Sequence, residues 1–158
     1  MNRIMAAAVA TIWLASAGGA QGAEQAPKNY VSAVGSYVWN PKDSKYEAPV
    51  YAKEQTMEVT RDDPGGIALT QKVLLVDGKK VEWGFKSNYD GTPQPGEWIT
   101  VAVKRLTPDS FENNYVMVDG QRGYEVATIT ADRITIRGSH DEKGKKLTYV
   151  EVWDRVKQ

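Results

Sequence analysis

One arginine occupies a position where it could bind an anion inside the protein. Apolar residues alternate with others in this strand-like run, so that Arg105 falls on the same face as Val101 and Val103. An unpaired charge on an interior face is costly, so the guanidinium needs a partner. That partner would be the carboxylate or phosphate of a ligand. The alternatives are an internal acid such as Glu151, or solvent if Arg105 emerges at the rim of the fold.

Aromatic side chains provide the apolar part of the same hypothetical site. Trp83, Phe85 and Tyr115 are predicted to share an interior face, where they would line a cavity next to Arg105. These four residues are the predicted ligand-binding set. The alternative is that the aromatic residues simply form a packed core.

The only histidine of the chain, His140, lies in the run SHDE at residues 139–142. A zinc site needs three or four converging protein ligands, and the acids beside His140 show no such spacing. We therefore interpret this segment as a solvent-exposed turn between the last two strands.

The run DDPGG at residues 62–66 carries two adjacent acids. It lacks the regular spacing of oxygen ligands found in a calcium-binding loop, and its composition is typical of a turn. We interpret it as a turn.

Recognisable catalytic patterns are missing from the sequence. The chain has no cysteine, no nucleophile elbow and no glycine-rich phosphate loop. The sequence predicts no catalytic residues, no metal, no cofactor and no enzymatic activity.

The charge balance argues against nucleic-acid binding. The 158 residues include 20 Lys and Arg against 20 Asp and Glu, whereas recognition of phosphates needs a basic excess on one face. The hydrophobic content of 41% is too high for a disordered chain, so a packed core is expected.

The first 23 residues are typical of a secretory signal peptide. Arg3 precedes an apolar stretch that ends in small residues, and cleavage is predicted near Ala23. The apolar run is shorter than a membrane-spanning helix, so no stable membrane insertion is expected. We expect export to the periplasm or beyond, a flexible lead over residues 24–33 and one domain over residues 34–158.

Runs of β-branched and aromatic residues recur at intervals of about ten residues from Tyr30 onward, which is typical of an all-β fold. Eight or nine antiparallel strands are predicted to form an up-and-down β-barrel, because closure of the sheet pairs the backbone groups that an exposed edge would leave unpaired. An open sandwich is the alternative. The predicted strands lie near residues 34–39, 54–60, 67–76, 79–89, 98–105, 111–118, 122–130, 133–138 and 147–156.

The side-chain pattern selects a register for two hairpins. A three-residue loop over 76–78, with Gly78 left-handed, places Leu69 and Phe85 on the core face and Lys72 and Glu82 in solvent. For the second hairpin we predict a two-residue loop at residues 119–120, which would turn residues 124 and 126 toward the core.

Five short motifs are spread over nearly the whole chain after residue 23. They are GSYVWNP at 35–41, SKY at 44–46, YDG at 89–91, VAVKR at 101–105 and VWDR at 152–155. With these motifs the chain resembles an uncharacterised family of small exported bacterial proteins that look like lipocalin-type, or calycin-type, β-barrels.

The resemblance implies how the barrel closes. In lipocalins a Gly-x-Trp motif opens the first strand, and a late arginine packs across the ring. Gly35-Ser36-Tyr37 matches this motif with tyrosine in place of tryptophan, and Trp39 lies on the same face. Arg155 is therefore expected over the ring of Tyr37 or Trp39. The Thr-Asp-Tyr motif of the lipocalins proper is absent.

Two functions remain open from the sequence. One is the binding of a small apolar or amphiphilic ligand, with an anionic head if Arg105 is unpaired. The other is an interaction or structural module of the cell envelope with a packed core, whose working surface would be the segment 40–55. This segment is either a lid over the barrel mouth or a strap. A contiguous cavity would favour the first function, and a filled core would favour the second.

Overall fold

The computed structural model describes residues 29–157, and these contain β-strands and no helix. No segment of this part of the chain therefore forms a helix that could cross a membrane. The strands are β1 (Gly35–Trp39), β2 (Lys45–Tyr46), β3 (Ala52–Asp63), β4 (Gly66–Leu75), β5 (Lys80–Ser87), β6 (Gln94–Pro95), β7 (Ile99–Thr107), β8 (Ser110–Met117), β9 (Arg122–Ile129), β10 (Arg133–Glu142) and β11 (Lys145–Arg155).

The predicted all-β antiparallel barrel is confirmed, but the predicted number of eight to nine strands is wrong. Residues 29–157 form eleven strands, because the two-residue strands β2 and β6 add to the nine longer ones. Such short segments carry no alternation of apolar and polar residues, so the pattern in the sequence does not reveal them.

All eleven strands belong to one sheet that curls into a nearly closed barrel. The order is β5-β4-β3-β1-β11-β10-β9-β8-β7-β6, with β2 beside β11. The last long strand pairs with the first, with Trp153 opposite Trp39. No hydrogen-bonded ladder joins β5 to β6 or β7 among the described strands, so this is the seam of the barrel.

Alternation along each long strand places one face in the interior. In β7, Ile99, Val101 and Val103 are buried, and so are Trp153 and Tyr37 on the closing strands. Burial of a large apolar side chain contributes roughly 1.5–3 kcal/mol, so this interior face dominates the stability of the barrel.

The first hairpin has the predicted register. Leu69 lies opposite Phe85 and Lys72 opposite Glu82, and the Lys72 and Glu82 side chains are exposed on the outer face. The backbone amide of Gly78 donates to the carbonyl of Leu75 over 3.0 Å, and Gly78 has φ of +85°. The three-residue loop over 76–78 is therefore confirmed.

The predicted register of the second hairpin is wrong. The loop has three residues, 118–120, since the amide of Met117 donates to the carbonyl of Gln121 over 2.8 Å. Tyr124 is consequently exposed, and Glu125 points inward. Gly123 explains this register: a Cβ there would lie 2.1 Å from Cζ of Tyr115, so only glycine leaves room for that inward ring.

The interpretation of residues 139–142 as an exposed turn is also wrong. β10 runs on to Glu142, and the turn lies at Lys143-Gly144. His140 pairs with Leu147 inside the ladder and is partly buried, because the hairpin is longer than its polar sequence suggests.

Closure by the first and last strands follows the expected geometry. The guanidinium carbon of Arg155 lies 4.8 Å from the ring centroid of Tyr37, and Nη2 of Arg155 donates to the carbonyl of Ser32 over 3.0 Å. A Cβ at Gly35 would lie 2.5 Å from Nη1 of Arg155, which explains the glycine of this motif. The predicted stacking of Arg155 on Tyr37 is confirmed, whereas Trp39 instead donates its indole N–H to the hydroxyl of Tyr46 over 3.0 Å.

The described part of the predicted flexible lead, 24–33, lies against the barrel. The amide of Val31 donates to the carbonyl of Pro108 over 3.2 Å, and Ala33 is fully buried. Residues 29–33 thus cover one end of the barrel, and the flexibility of the lead stays a prediction. The predicted signal peptide lies outside the described residues and stays a prediction.

The segment 40–55 is held to the sheet by hydrogen bonds. Its strand β2 pairs with β11, with Tyr46 opposite Tyr149. Further along the segment, the carbonyl of Tyr51 accepts a hydrogen bond of 2.9 Å from the amide of Val76. These bonds at two points favour a strap over a lid.

Candidate functional site

The barrel encloses a cavity of about 290 Å³. It reaches from Phe111 in the covered half to Gln121 and His140 near the opposite hairpin turns. One wall is apolar and comes mainly from strands β3, β4, β5 and β7. Its side chains include those of Met57, Ile67, Leu69, Phe85 and Ile99.

The opposite wall is polar and comes from four consecutive strands. β8 contributes Asn113 and Tyr115, β9 contributes Glu125, β10 contributes His140, and β11 contributes Tyr149 and Glu151. Most of the polar groups are thus gathered on one side of the cavity, although Gln71 of β4 lies among the apolar side chains. Strands β8 to β10 also contribute apolar side chains, those of Phe111, Met117, Ala127, Ile134 and Ile136.

Glu125 is a buried carboxyl held by two donors. The hydroxyl of Tyr149 donates to Oε1 over 2.5 Å, and Nδ2 of Asn113 donates to Oε2 over 3.1 Å. Burial raises the pKa of Glu125, and these two hydrogen bonds counteract that rise in part.

Glu151 is the second buried carboxyl. It accepts hydrogen bonds from the hydroxyl of Tyr46 over 3.1 Å and from the indole N–H of Trp153 over 3.2 Å. Burial, followed by the nearby charge of Glu125, raises the pKa of Glu151 to about 7. Glu151 therefore changes its protonation state near neutral pH.

The tyrosines around these acids remain neutral at physiological pH. Burial, with the charge of Glu125 as the next cause, raises the pKa of Tyr115 to about 12. The same causes raise the pKa of Tyr149 above its ordinary value. Both hydroxyls therefore keep their protons, and Tyr149 donates its proton to Glu125.

One acceptor in the cavity wall is unused. Asn113 is 4% exposed, and its Oδ1 has no hydrogen-bond partner within residues 29–157. Since Nδ2 of the same amide is committed to Glu125, Oδ1 points away from that carboxyl. A buried carbonyl oxygen without a donor is costly, so this atom is a candidate contact for a ligand.

The cavity wall carries acids without bases. Glu125 and Glu151 line it, and neither a lysine nor an arginine of the described chain does so. The wall also carries the imidazole of His140, whose ring centroid lies 5.8 Å from that of Tyr149. The interior thus has acidic character.

Arg105 belongs to a separate buried cluster. Its Nη2 forms an ion pair with Oδ1 of Asp62, whose side chain is fully buried, and the guanidinium carbon lies 4.1 Å from the ring centroid of Tyr89. Tyr30 and Tyr89 both donate hydroxyl hydrogen bonds to Asp62.

The predicted role of Arg105 as an anchor for an anionic ligand required that no protein carboxylate pair with it. Asp62 provides that carboxylate, so the prediction of Arg105 as a ligand-binding residue is wrong. The alternative that Arg105 pairs with Glu151 is also wrong. The interpretation of residues 62–66 as a turn is right for Pro64 and Gly65, which join β3 to β4, but Asp62 lies within β3 and points inward.

The other sequence candidates do reach the cavity. Trp83, Phe85 and Tyr115 line it, as predicted for an interior face. Sequence reasoning missed Asn113 and Glu125. The signal was present for Glu125, because it alternates with the apolar residues 127 and 129 and so falls on their face.

Among residues 29–157, no group of three or more histidine, aspartate or glutamate side chains is arranged to hold a metal ion. The pair of carboxyls in the cavity is therefore short of the six or more oxygen ligands that calcium prefers.

Known structures with similar folds are β-barrels. A redesigned β-barrel is 11% identical with a TM-score of 0.54, and covers 78% of this chain and 91% of its own. A variant of the fluorescent protein UnaG is 14% identical with a TM-score of 0.50, and covers 79% of this chain and 96% of its own. At these identities the likeness shows the fold alone, an antiparallel β-barrel. No protein-family model and no curated protein matches the chain.

Proposed function

We propose that this barrel binds a small apolar or amphiphilic molecule in its interior and does so without catalysis. The observation that carries the proposal is the cavity of about 290 Å³, which has one apolar wall and a few convergent polar groups. Small-molecule sites in proteins have this composition. A structural module with a packed core would have no such space.

The proposed ligand needs no anionic head. Arg105 is paired with Asp62 and does not line the cavity, so it offers no anchor for a ligand carboxylate there. Glu125 and Glu151 line the cavity, and a ligand carboxylate would be repelled by whichever of these acids is ionised.

Filling the cavity is expected to abolish ligand binding. Ala127 lies in the wall and is buried, so Ala127→Phe places a ring in the space that the ligand would occupy. The probe is the neutral dye N-phenyl-1-naphthylamine, whose fluorescence rises in apolar surroundings. We expect saturable binding to residues 24–158 and a loss of at least tenfold in affinity for Ala127→Phe, equivalent to about 1.4 kcal/mol.

The matched control is Ala102→Phe, which adds the same ring on the outward face of β7, opposite Asn114. It should bind the dye like the parent protein. Leu69→Trp is a second cavity variant for the case that Ala127→Phe does not fold. Dye binding that none of these wall substitutions weakens, or no saturable binding at all, would favour an interaction module instead.

We also propose that the protein is exported, on the basis of the basic start, the apolar stretch and the small residues before Glu24. Protein isolated from the cell envelope of its host should begin within a few residues of Ala23. Sequencing of its N-terminus provides the measurement, and an intact Met1 on envelope-located protein would contradict the proposal.

A further inference from the structure

We propose that the ligand carries a protonated primary amine, and that its ammonium group is held by Asn113, Glu125 and Glu151 in the polar wall. This inference rests on the proposed function, since it names the chemical class of the molecule in the same cavity.

The unused oxygen of Asn113 is the first observation. It is buried, it belongs to a side chain of the cavity wall, and it has no donor within the described chain. Its side-chain nitrogen already donates to Glu125 over 3.1 Å, and that bond sets which way the amide faces. The missing partner is therefore a hydrogen-bond donor, and an ammonium is one.

The charge of the cavity is the second observation. Two carboxyls line it, and no arginine or lysine of the described residues reaches it to balance them. Elsewhere in the same barrel, the buried Asp62 is paired with Arg105. A cationic ligand would balance the charge of Glu125 and Glu151 in the way that Arg105 balances the charge of Asp62.

The polar wall has enough acceptors for a primary amine. A primary ammonium has three N–H donors, and the polar wall offers one amide oxygen and two carboxyls. A metal ion fits less well, because the described residues contain no third acid or histidine arranged as a ligand.

The groups around the acids are compatible with an ammonium. Facing the acids are Tyr115 from β8, His140 from β10, Tyr149 from β11 and Tyr46 from β2. The rings of Tyr46 and Tyr149 are stacked with centroids 6.2 Å apart. Aromatic faces attract cations, so the tyrosine rings favour an ammonium over an anion.

The apolar wall determines the rest of the molecule. Met57, Leu69 and Phe85 lie across the cavity from the polar wall, and their surfaces offer no hydrogen bonds. They suit an alkyl or arylalkyl body. The ligand class is thus an amphiphilic primary amine, which reverses the sign of charge predicted from Arg105.

Displacement of the neutral dye by four molecules with the same alkyl chain tests the inference. The series is octylamine, octyltrimethylammonium, 1-octanol and octanoate, titrated at pH 7.5 against dye-loaded protein. Charge-assisted hydrogen bonds are worth about tenfold or more in affinity, so octylamine should bind at least tenfold more tightly than 1-octanol. Octyltrimethylammonium has no N–H donors and should bind more weakly than octylamine, and octanoate should bind weakest.

Variants of the acids give a readout that a purely structural role would not change. Glu125→Gln and Glu151→Gln should each reduce the ratio of octylamine to octanol affinity several-fold while dye binding persists. Glu82→Gln is the matched control, because Glu82 lies on the outer face of β5 beside Lys72. It should keep the wild-type ratio.

The outcomes separate the inference from the proposed function. If the dye binds but octylamine and octanol bind equally, or octanoate binds best, the amine inference is overturned and the ligand-binding function stands. If calorimetry detects binding of neither the dye nor octylamine, both are overturned.

Discussion

Asp62→Asn is expected to lower the free energy of unfolding by about 3–5 kcal/mol, because it leaves the Arg105 guanidinium buried without its carboxylate. The side chain of Asp62 is fully buried and pairs with Arg105. It also accepts a hydrogen bond of 2.6 Å from the amide of Ala33, together with the hydroxyls of Tyr30 and Tyr89. An asparagine would remove the charge and turn an N–H group toward some of these donors.

Urea unfolding followed by tryptophan fluorescence measures the effect. Asp63→Asn is the matched control, because Asp63 is the next residue and its ion pair with Arg61 is exposed. Exposed pairs contribute about 0–1 kcal/mol, so this variant should stay within that range. Equal losses for the two variants would show that the buried pair has no special role.

The double variant Asp62→Asn with Arg105→Met tests the pairing itself. Removing both charges should cost clearly less than the sum of the two single losses, because neither charge is then buried alone. Additive losses would mean that Asp62 and Arg105 act independently.

The second large effect is a pH-dependent gain of stability in Glu151→Gln. In the folded protein the pKa of Glu151 is raised to about 7 from an ordinary value of 4.5. The folded state thus holds a proton that the unfolded state has already lost between these pH values, and stability falls as the pH rises through this window. The shift corresponds to about 3 kcal/mol, which glutamine removes because it does not ionise.

Thermal or urea unfolding at pH 5 and pH 8 provides the comparison. Glu151→Gln should be more stable than the wild type at pH 8 and nearly equal to it at pH 5. The exposed Glu82→Gln should show the same small difference at both values. If Glu151→Gln changes the free energy of unfolding by the same amount at pH 5 and pH 8, Glu151 does not change its protonation state between these pH values, and the prediction is wrong.

The two hairpins with Asp-Gly turns show where pattern reading succeeds. Both loops have three residues and end in a left-handed glycine, Gly78 or Gly120. The first was predicted because most apolar residues of its strands, including Leu69 and Phe85, fall on one face in that register. The second failed because Glu125 faces inward and Tyr124 outward. Glutamate is usually exposed and tyrosine is more often buried, so the pattern favoured the opposite arrangement.

Only part of the candidate site could be predicted from the sequence. Trp83, Phe85 and Tyr115 were found, since the alternation of a strand places them on the interior face. Glu125 and Asn113 also occupy interior positions. A polar residue at such a position does not by itself predict a binding site, because the sequence does not show which groups it contacts.

The sequence by itself determined the longer strands, the antiparallel order of neighbours and the contact between Arg155 and Tyr37, because each depends on alternation, on turn residues or on a short motif. Only the tertiary structure decided that Arg105 pairs with Asp62, 43 residues away, and that the cavity is acidic. Alternation tells which face a side chain occupies, but not which side chains meet it across the barrel. That depends on the number of strands, their stagger and the closure of the sheet, and these arise only when all strands pair.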